Sequence, residues 1–162
     1  MAPRPDPAEF VARYEDGQPQ VVWTSLVADL ETPVSAMLKL AEGRPYSFLF
    51  ESVEGGAVRG RYSAIGLKPD LIWRCFGDRA EINRAARQDR SAFEPLPGGA
   101  LDRLRELIGQ SRIALPPELP PMAAGLFGFM GYDMVRLMER LPTANPDRSG
   151  IPDAVFVRPT VM

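Results

Sequence analysis

The fold of this chain is decided by residues 46–83, which read YSFLFESVEGGAVRGRYSAIGLKPDLIWRCFGDRAEIN. Residues 46–53 are aromatic and β-branched, a composition typical of a strand. Glu54-Gly55-Gly56 is a turn signal, and the next apolar run, 57–65, predicts the returning strand of a β-hairpin.

A second hairpin is predicted directly after the first. Gly66-Leu67-Lys68-Pro69 carries two strong chain breakers, so we expect the first hairpin to end there. Residues 70–76 and 79–83 are strand-like and are joined by Gly77-Asp78, a two-residue hairpin turn. Four strands within so short a stretch predict a mainly antiparallel sheet.

Three helices are expected beside this sheet, which makes the predicted fold α+β. Thr32 and Pro33 form an N-cap and first-turn pair, and the helix they begin closes at Gly43. A second helix is predicted around 101–108, where leucines and an isoleucine share one face, and a third over 132–140. Two further strands are expected within 123–131 and 154–162.

Composition excludes several classes of protein. The 162 residues contain no His and one Cys, so a His-based triad, a His-ligated zinc site and an internal disulfide are ruled out. A formal net charge of −2 argues against a nucleic-acid platform. Neither a signal-peptide core nor a run of ~20 apolar residues occurs, so we expect a cytoplasmic protein. Cys75 lies in a strand-like run and is expected to be an inert strand residue.

Three glycines, Gly125, Gly128 and Gly131, recur at every third position. A dinucleotide-binding loop requires the spacing G-x-G-x-x-G, which these residues do not have. The pattern instead indicates a strand whose small residues allow another backbone to approach closely.

A possible binding site lies on the first hairpin. Side chains alternate along a strand, so Glu51 is expected to face the core if Leu49 does, and a buried carboxylate needs a partner. The return strand supplies the candidates Arg59, Arg61, Tyr62 and Ser63. Two interpretations remain open: a structural Glu–Arg pair, or a site in which Glu51 and Ser52 bind the ammonium group of a small ligand such as a free amino acid.

Several blocks in order resemble one family. Residues 48–56 are similar to its Leu-Leu-Glu-Ser segment, and 61–66 match its Arg-Tyr-Ser-Phe-Ile-Gly block, with Ala64 in place of Phe. Residues 125–133 match a Gly-Leu-x-Gly-Tyr-x-x-Tyr-Asp block, with Phe129 in place of Tyr. Together these blocks resemble the N-terminal region of anthranilate synthase component I, in the chorismate-utilising enzyme family.

The resemblance implies a domain organisation. Residues 1–19 would be a flexible Pro-rich arm, and 20–162 the N-terminal domain of component I, truncated before the catalytic domain. In the family the two halves of the chain form one β-sandwich, so this chain would contribute half of it. The family's catalytic His, acidic residues and Mg²⁺ site belong to the other half. We therefore expect no catalytic residue, no metal site and no synthase activity in this chain alone.

The resemblance also implies ligands and partners. The parent enzyme converts chorismate and ammonia to anthranilate and pyruvate in tryptophan biosynthesis, and a glutamine amidotransferase subunit supplies the ammonia. In feedback-regulated members, Glu51 and Ser52 correspond to the pair that binds L-tryptophan, with Arg61 and Tyr62 beside them. A homo-oligomer is also expected, because uncovered sheet edges would be hidden by it.

Two alternatives stay open. Component I of aminodeoxychorismate synthase, in the folate pathway, carries similar blocks. A free-standing amino-acid-binding or interaction module is the alternative from another class of protein.

Overall fold

A computed structural model describes residues 2–51, 62–142, 147 and 149–162. The chain divides into two compact units. The first unit comprises Met1–Ile65, Ile113–Ala124 and Met162. The second unit comprises Gly66–Arg112 and Gly125–Val161. The turn of the first predicted hairpin, residues 54–56, lies outside the described residues.

The described residues form an α+β arrangement, as the sequence predicted. The helices are α1 (Pro7–Glu15), α2 (Pro33–Ala41) and α3 (Ala100–Gln110), with short 3₁₀ helices at Pro121–Ala123 and Tyr132–Leu137. The strands are β1 (Phe48–Phe50), β2 (Ala64–Phe76), β3 (Arg79–Asn83), β4 (Glu94–Leu96), β5 (Phe127–Met130) and β6 (Ala154–Val161).

The strands form one six-stranded antiparallel sheet. Five of them follow the order β4-β3-β2-β6-β5, and β1 pairs with β2, whose first two residues belong to the first unit. The second predicted hairpin is confirmed, since β2 pairs with β3 from Phe76↔Arg79 to Ile72↔Asn83 across the Gly77-Asp78 turn. Gly77 has a φ of +55°, a left-handed conformation that favours glycine at a tight turn.

The break predicted at Gly66-Leu67-Lys68-Pro69 is wrong. Strand β2 runs through this segment, because β6 pairs with it at Leu67↔Val161 and Pro69↔Pro159. The register shifts between Pro69 and Leu71, so the proline lies at an irregularity, where its missing N–H is tolerated.

Two other elements differ from the prediction. The stretch 84–98, for which the sequence predicted no helix or strand, contains β4, which pairs with β3 at the edge of the sheet, a position that accepts Pro95. The helix predicted over 132–140 is a 3₁₀ helix that ends at Leu137. Its N-cap is Gly131, which has no side chain to cap a longer helix, and the Gly131 N–H instead donates to the carbonyl of Asp153 at 2.7 Å.

Helix α2 begins as the sequence predicts. The Thr32 hydroxyl accepts a hydrogen bond from the Ser35 N–H, and the Ser35 hydroxyl accepts one from the Thr32 N–H, which completes a capping box. Helix α1 was not predicted and lies within the expected arm. Asp6 begins it, with Oδ1 accepting from the backbone N–H groups of Ala8 at 2.9 Å and Glu9 at 3.0 Å.

The apolar core of the second unit lies between the sheet and α3. Alternate residues of β2 point to this face, and α3 covers them with the leucine face that the sequence indicated. Its buried members are Leu71, Trp73, Cys75, Ala80, Ile82, Ala100, Leu104, Leu107, Met134 and Ala154. Among the described residues, no helix is long and apolar enough to cross a membrane.

Candidate functional site

The candidate site lies where β1 ends and β2 begins. Glu51 directly follows β1, and Tyr62 lies two residues before β2. Because β1 pairs with β2 in an antiparallel sheet, Glu51 and Tyr62 flank the same end of this strand pair. Ser52, Arg59 and Arg61 lie outside the described residues, so the structure places only Glu51 and Tyr62 of the four predicted binding residues.

The Glu51 carboxylate does not face a core. Phe48 and Leu49 are half-buried, whereas Phe50 and Glu51 are exposed. The expectation of an inward-facing carboxylate is therefore wrong, because β1 ends at Phe50 and the strand alternation does not continue through Glu51. The assignment of Glu51 to ligand binding stays a prediction. It is compatible with the exposed position of Glu51, because an exposed carboxylate is accessible to a charged ligand.

Aromatic residues lie close to Glu51 along the chain and at the start of the paired strand. The rings of Phe48 and Phe50, in the strand that Glu51 follows, lie 4.7 Å apart, centroid to centroid, at an angle of 33°. Tyr62 is 49% exposed. An exposed carboxylate at the end of a strand that carries an aromatic pair is a combination that suits a ligand with an ammonium group and an apolar body.

Ser47 is a polar residue next to the site that the sequence reasoning missed. Its hydroxyl oxygen is buried, and within the described part of the chain it has no hydrogen-bond partner. Ser47 directly precedes β1, so this hydroxyl lies close to the strand that presents Glu51. In the sequence, the signal was only a serine at the start of an aromatic run.

Helix α2 packs beside β1 in the first unit. Of the four apolar residues that recur at helical spacing in α2, Ala41 is buried and Met37 is half-buried. Val34 and Leu38 are instead 51% and 74% exposed. The helical period was therefore correct, but only part of the apolar stripe is covered within this chain.

Asp153, which directly precedes β6, joins three elements of the second unit. Its Oδ2 accepts a hydrogen bond from the Gly77 N–H at 2.6 Å, and its own N–H donates to the Cys75 carbonyl at 2.9 Å. Its carbonyl accepts from Gly131. Asp153 thus fixes the β2–β3 turn and the end of β5, which is a structural role.

Cys75 lies in β2 and is not an activated thiol, as predicted, and the structure shows that it is buried. Burial raises its pKa from 9.0 to about 11, and the nearby Asp153 carboxylate acts in the same direction. Its Sγ lies 3.4 Å from the Met134 Sδ. The described residues also contain no group of three or more Cys, Asp or Glu side chains placed to hold a metal ion.

Close backbone approach explains two of the three glycines in the series. A Cβ built at Gly128 would lie 1.8 Å from the Val155 carbonyl oxygen, and one at Gly131 would lie 2.9 Å from that of Asp153. The prediction is therefore confirmed at Gly128 and Gly131. Gly125 lies outside β5 and has no backbone atom within 4 Å of its Cβ position, and its φ of +148° is one that favours glycine.

Comparison with known proteins places the chain beside one group of enzymes. No protein-family model matches it. It is 59% identical over 153 residues to the anthranilate synthase component 1 of Cereibacter sphaeroides, a match that covers 94% of this chain and 31% of that protein. Proteins with the same name from Synechocystis and Thermus thermophilus are 38% and 40% identical over 152 and 142 residues. These matches cover 93% and 85% of this chain and 29% and 28% of the relatives. The chain therefore spans about a third of the length of the curated relatives it matches, and corresponds to their N-terminal part.

Proposed function

We propose that this chain, a homologue of the N-terminal part of anthranilate synthase component 1, is the regulatory and structural region of such a component in tryptophan biosynthesis. The observation that carries the proposal is the 59% identity to the Cereibacter sphaeroides protein across 94% of this chain. The α+β fold and the family-like blocks support it.

The proposed reaction belongs to the whole enzyme. Chorismate would be aminated at C2 by ammonia with loss of the C4 hydroxyl, and elimination of pyruvate would then give anthranilate. Mg²⁺, held by residues outside this chain, would supply Lewis-acid assistance. A glutamine amidotransferase component supplies the ammonia. Under this proposal the present chain has no synthase activity alone, and its sheet supports the rest of the enzyme.

The proposed regulatory ligand is L-tryptophan. Its ammonium group would pair with the Glu51 carboxylate and the Ser52 hydroxyl, with Arg61 and Tyr62 beside them. The exposure of Glu51 and the aromatic pair Phe48 and Phe50 support this assignment, because an indole and an ammonium group need both environments.

Domain replacement tests the proposed enzyme. The matching N-terminal region of the Cereibacter sphaeroides component 1 is replaced by this chain, and the chimera is expressed in a bacterial strain that lacks component 1. We expect growth without tryptophan, and anthranilate fluorescence from chorismate, Mg²⁺ and ammonium in the purified protein. The chimera carrying Trp73→Asp, which disrupts the core, is the inactive control. A soluble, folded chimera that forms aminodeoxychorismate or no product would contradict the proposal.

Inhibition of the same chimera tests the regulatory site. Ser52→Ala and Glu51→Gln should each raise the tryptophan concentration needed for half-inhibition by about tenfold, the loss expected for one charge-assisted hydrogen bond. Glu42→Gln removes another exposed carboxylate, one that pairs with Arg44 at 2.8 Å, and should leave inhibition unchanged. Unchanged inhibition in both site variants would remove the two residues from the site.

A further inference from the structure

Three exposed arginines lie within seven residues on the segment between β3 and β4. Arg84, Arg87 and Arg90 are all exposed, and Asp89 is the one acidic residue among positions 84–90. None of the three arginines makes an ion pair with an acidic residue in the described part of the chain, whereas Arg13 and Arg105 pair with Glu9 and Asp102. We call residues 84–90 the arginine loop.

The backbone of the arginine loop is fixed by hydrogen bonds to the buried side chain of Asn83. Asn83 is fully buried, its Nδ2 donates to the Asp89 carbonyl at 2.7 Å, and its Oδ1 accepts from the Ala85 N–H at 2.8 Å. The side chain of Ala86 is buried, and the Ala85 carbonyl accepts hydrogen bonds from the N–H groups of Gln88 and Asp89. Because the backbone of the loop is fixed in this way, it has little conformational entropy to lose on binding, and only the arginine side chains would have to be ordered.

The single acidic residue of the loop is already engaged. Asp89 Oδ1 accepts hydrogen bonds from the Ser91 hydroxyl at 2.6 Å and the Ser91 N–H at 2.8 Å. These bonds lower the pKa of the Asp89 carboxyl, which therefore stays ionised, and the arginine loop carries a net charge of +2 from three arginines and one aspartate. None of the three guanidinium groups is held in an ion pair with Asp89, so all three can contact an external anionic group.

We propose that the arginine loop is the docking surface for an acidic patch on a partner protein, which, if the proposed function is right, is the ammonia-supplying component. Complementary charge at a surface accelerates association and selects the partner. A protein is favoured over a nucleic acid because the chain as a whole carries a net charge of −2 and has no extended cationic field for following a phosphate backbone.

The test uses the chimera described above and the purified partner component of the same synthase. Affinity is measured by titration calorimetry at low and at high salt for the chimera and for the triple variant Arg84→Gln, Arg87→Gln, Arg90→Gln. We expect the triple variant to bind roughly tenfold more weakly at low salt, with a smaller difference at high salt, because exposed ion pairs are individually weak and are screened by salt.

A matched control removes the same charge elsewhere. Arg13→Gln, Arg44→Gln and Arg105→Gln together eliminate three exposed arginines that pair within the chain, and this variant should bind the partner as the unmodified chimera does. In activity assays at limiting partner, the arginine-loop variant should lose glutamine-dependent synthesis and keep ammonia-dependent synthesis.

Each remaining outcome has a distinct meaning. Equal affinity of the arginine-loop variant and the chimera would overturn the docking proposal, as would an equal loss in the matched control. Binding of the loop to a short RNA, with partner affinity unchanged by the substitutions, would assign the surface to another class of ligand. A chimera without ammonia-dependent synthesis would contradict the proposed function, while the calorimetric comparison would still decide the docking surface.

Discussion

Among the described glycines, Gly128 leaves the least room for a side chain. Strand β5 pairs with β6 there, Gly128 opposite Phe156, and the position of a Cβ is taken by the backbone of Val155. The obstructing atoms are backbone atoms rather than the end of a flexible side chain, so they cannot move aside without breaking the strand pair. The glycine is therefore required by packing, and not by its φ angle.

We predict that Gly128→Ala destabilises the protein by about 3 kcal/mol, the upper range for overpacking, measured as the free energy of unfolding in urea. Gly109→Ala is the control, since nothing lies within 4 Å of a Cβ built at Gly109, inside α3. Alanine is the better helix former, so this control should be neutral or stabilising by up to ~1 kcal/mol. Equal effects of the two substitutions would show that the Gly128 contact has been misassigned.

Ionisation of Cys75 should make the free energy of unfolding depend on pH in the alkaline range. Its folded-state pKa is raised to about 11 from the ordinary 9.0, chiefly by burial. The folded protein therefore holds the thiol proton more tightly than the unfolded chain does. The contribution is complete below pH 9.0 and is lost as the pH rises from 9.0 toward about 11.

We predict that the free energy of unfolding falls by up to about 2 kcal/mol more across this pH window in the unmodified protein than in Cys75→Ala. Urea unfolding at a series of pH values measures the difference in slope, and the constant cost of the smaller side chain cancels from that comparison. Parallel pH profiles for the two proteins would contradict a buried, protonated thiol.

At the scale of the element, α3 depends on a cap from outside the helix. Its N-cap, Gly99, has no side chain, and Asp78 from the β2–β3 turn fills the role, with Oδ1 accepting from the Ala100 N–H at 2.7 Å. Asp78 therefore connects the hairpin turn to the helix that covers the sheet.

We predict that Asp78→Ala lowers the free energy of unfolding by about 1 kcal/mol, the typical effect of losing an N-cap. Asp102→Ala is the control, because it removes an acidic residue from the first turn of the same helix. Asp102 pairs with Arg105 at the exposed surface and should cost less than about 0.5 kcal/mol. Thermal unfolding of both variants distinguishes a specific cap from a general helix-dipole effect.

Elements with strong local signals could be predicted from the sequence. Thr32-Pro33 begins α2, and Gly77-Asp78 joins β2 to β3, because capping and turn chemistry act within a few residues. Elements that depend on distant partners could not. Strand β2 continues past Pro69 because β6 pairs with it, and β4 exists because β3 presents a free edge.

The same distinction between local and long-range signals applies to the candidate site. The block around Glu51 and Ser52 could be found from its sequence alone, but the outward position of Glu51 follows from where β1 ends. Arg61 stays a prediction, since it lies outside the described residues. No sequence motif predicted the arginine loop. Its fixed backbone depends on the hydrogen bonds of the buried Asn83 side chain, which only the structure shows.

At the scale of the whole molecule, the buried apolar residues are unevenly distributed. The core cluster between the sheet and α3 belongs wholly to the second unit. Within the described part of the first unit, Ala41 and Ala64 are the buried apolar residues, and Leu26, Val27 and Leu30 are largely exposed. Burial of apolar surface is the main stabilising term in folding, so the two units differ in the stability available to them.

Amide hydrogen exchange measures that difference by comparing two capped helices of similar length. Helix α3 buries Ala100, Leu104 and Leu107, whereas among the described residues of α2 only Ala41 is buried. Since exchange protection follows the local free energy of opening, we predict that α3 amides are protected at least ~100-fold more than α2 amides. Leu104→Ala should reduce the protection of α3, whereas Leu38→Ala, at an exposed position of α2, should leave the protection of α2 nearly unchanged. Equal protection of the two helices would show that α2 gains its stability from interactions other than apolar burial within this chain.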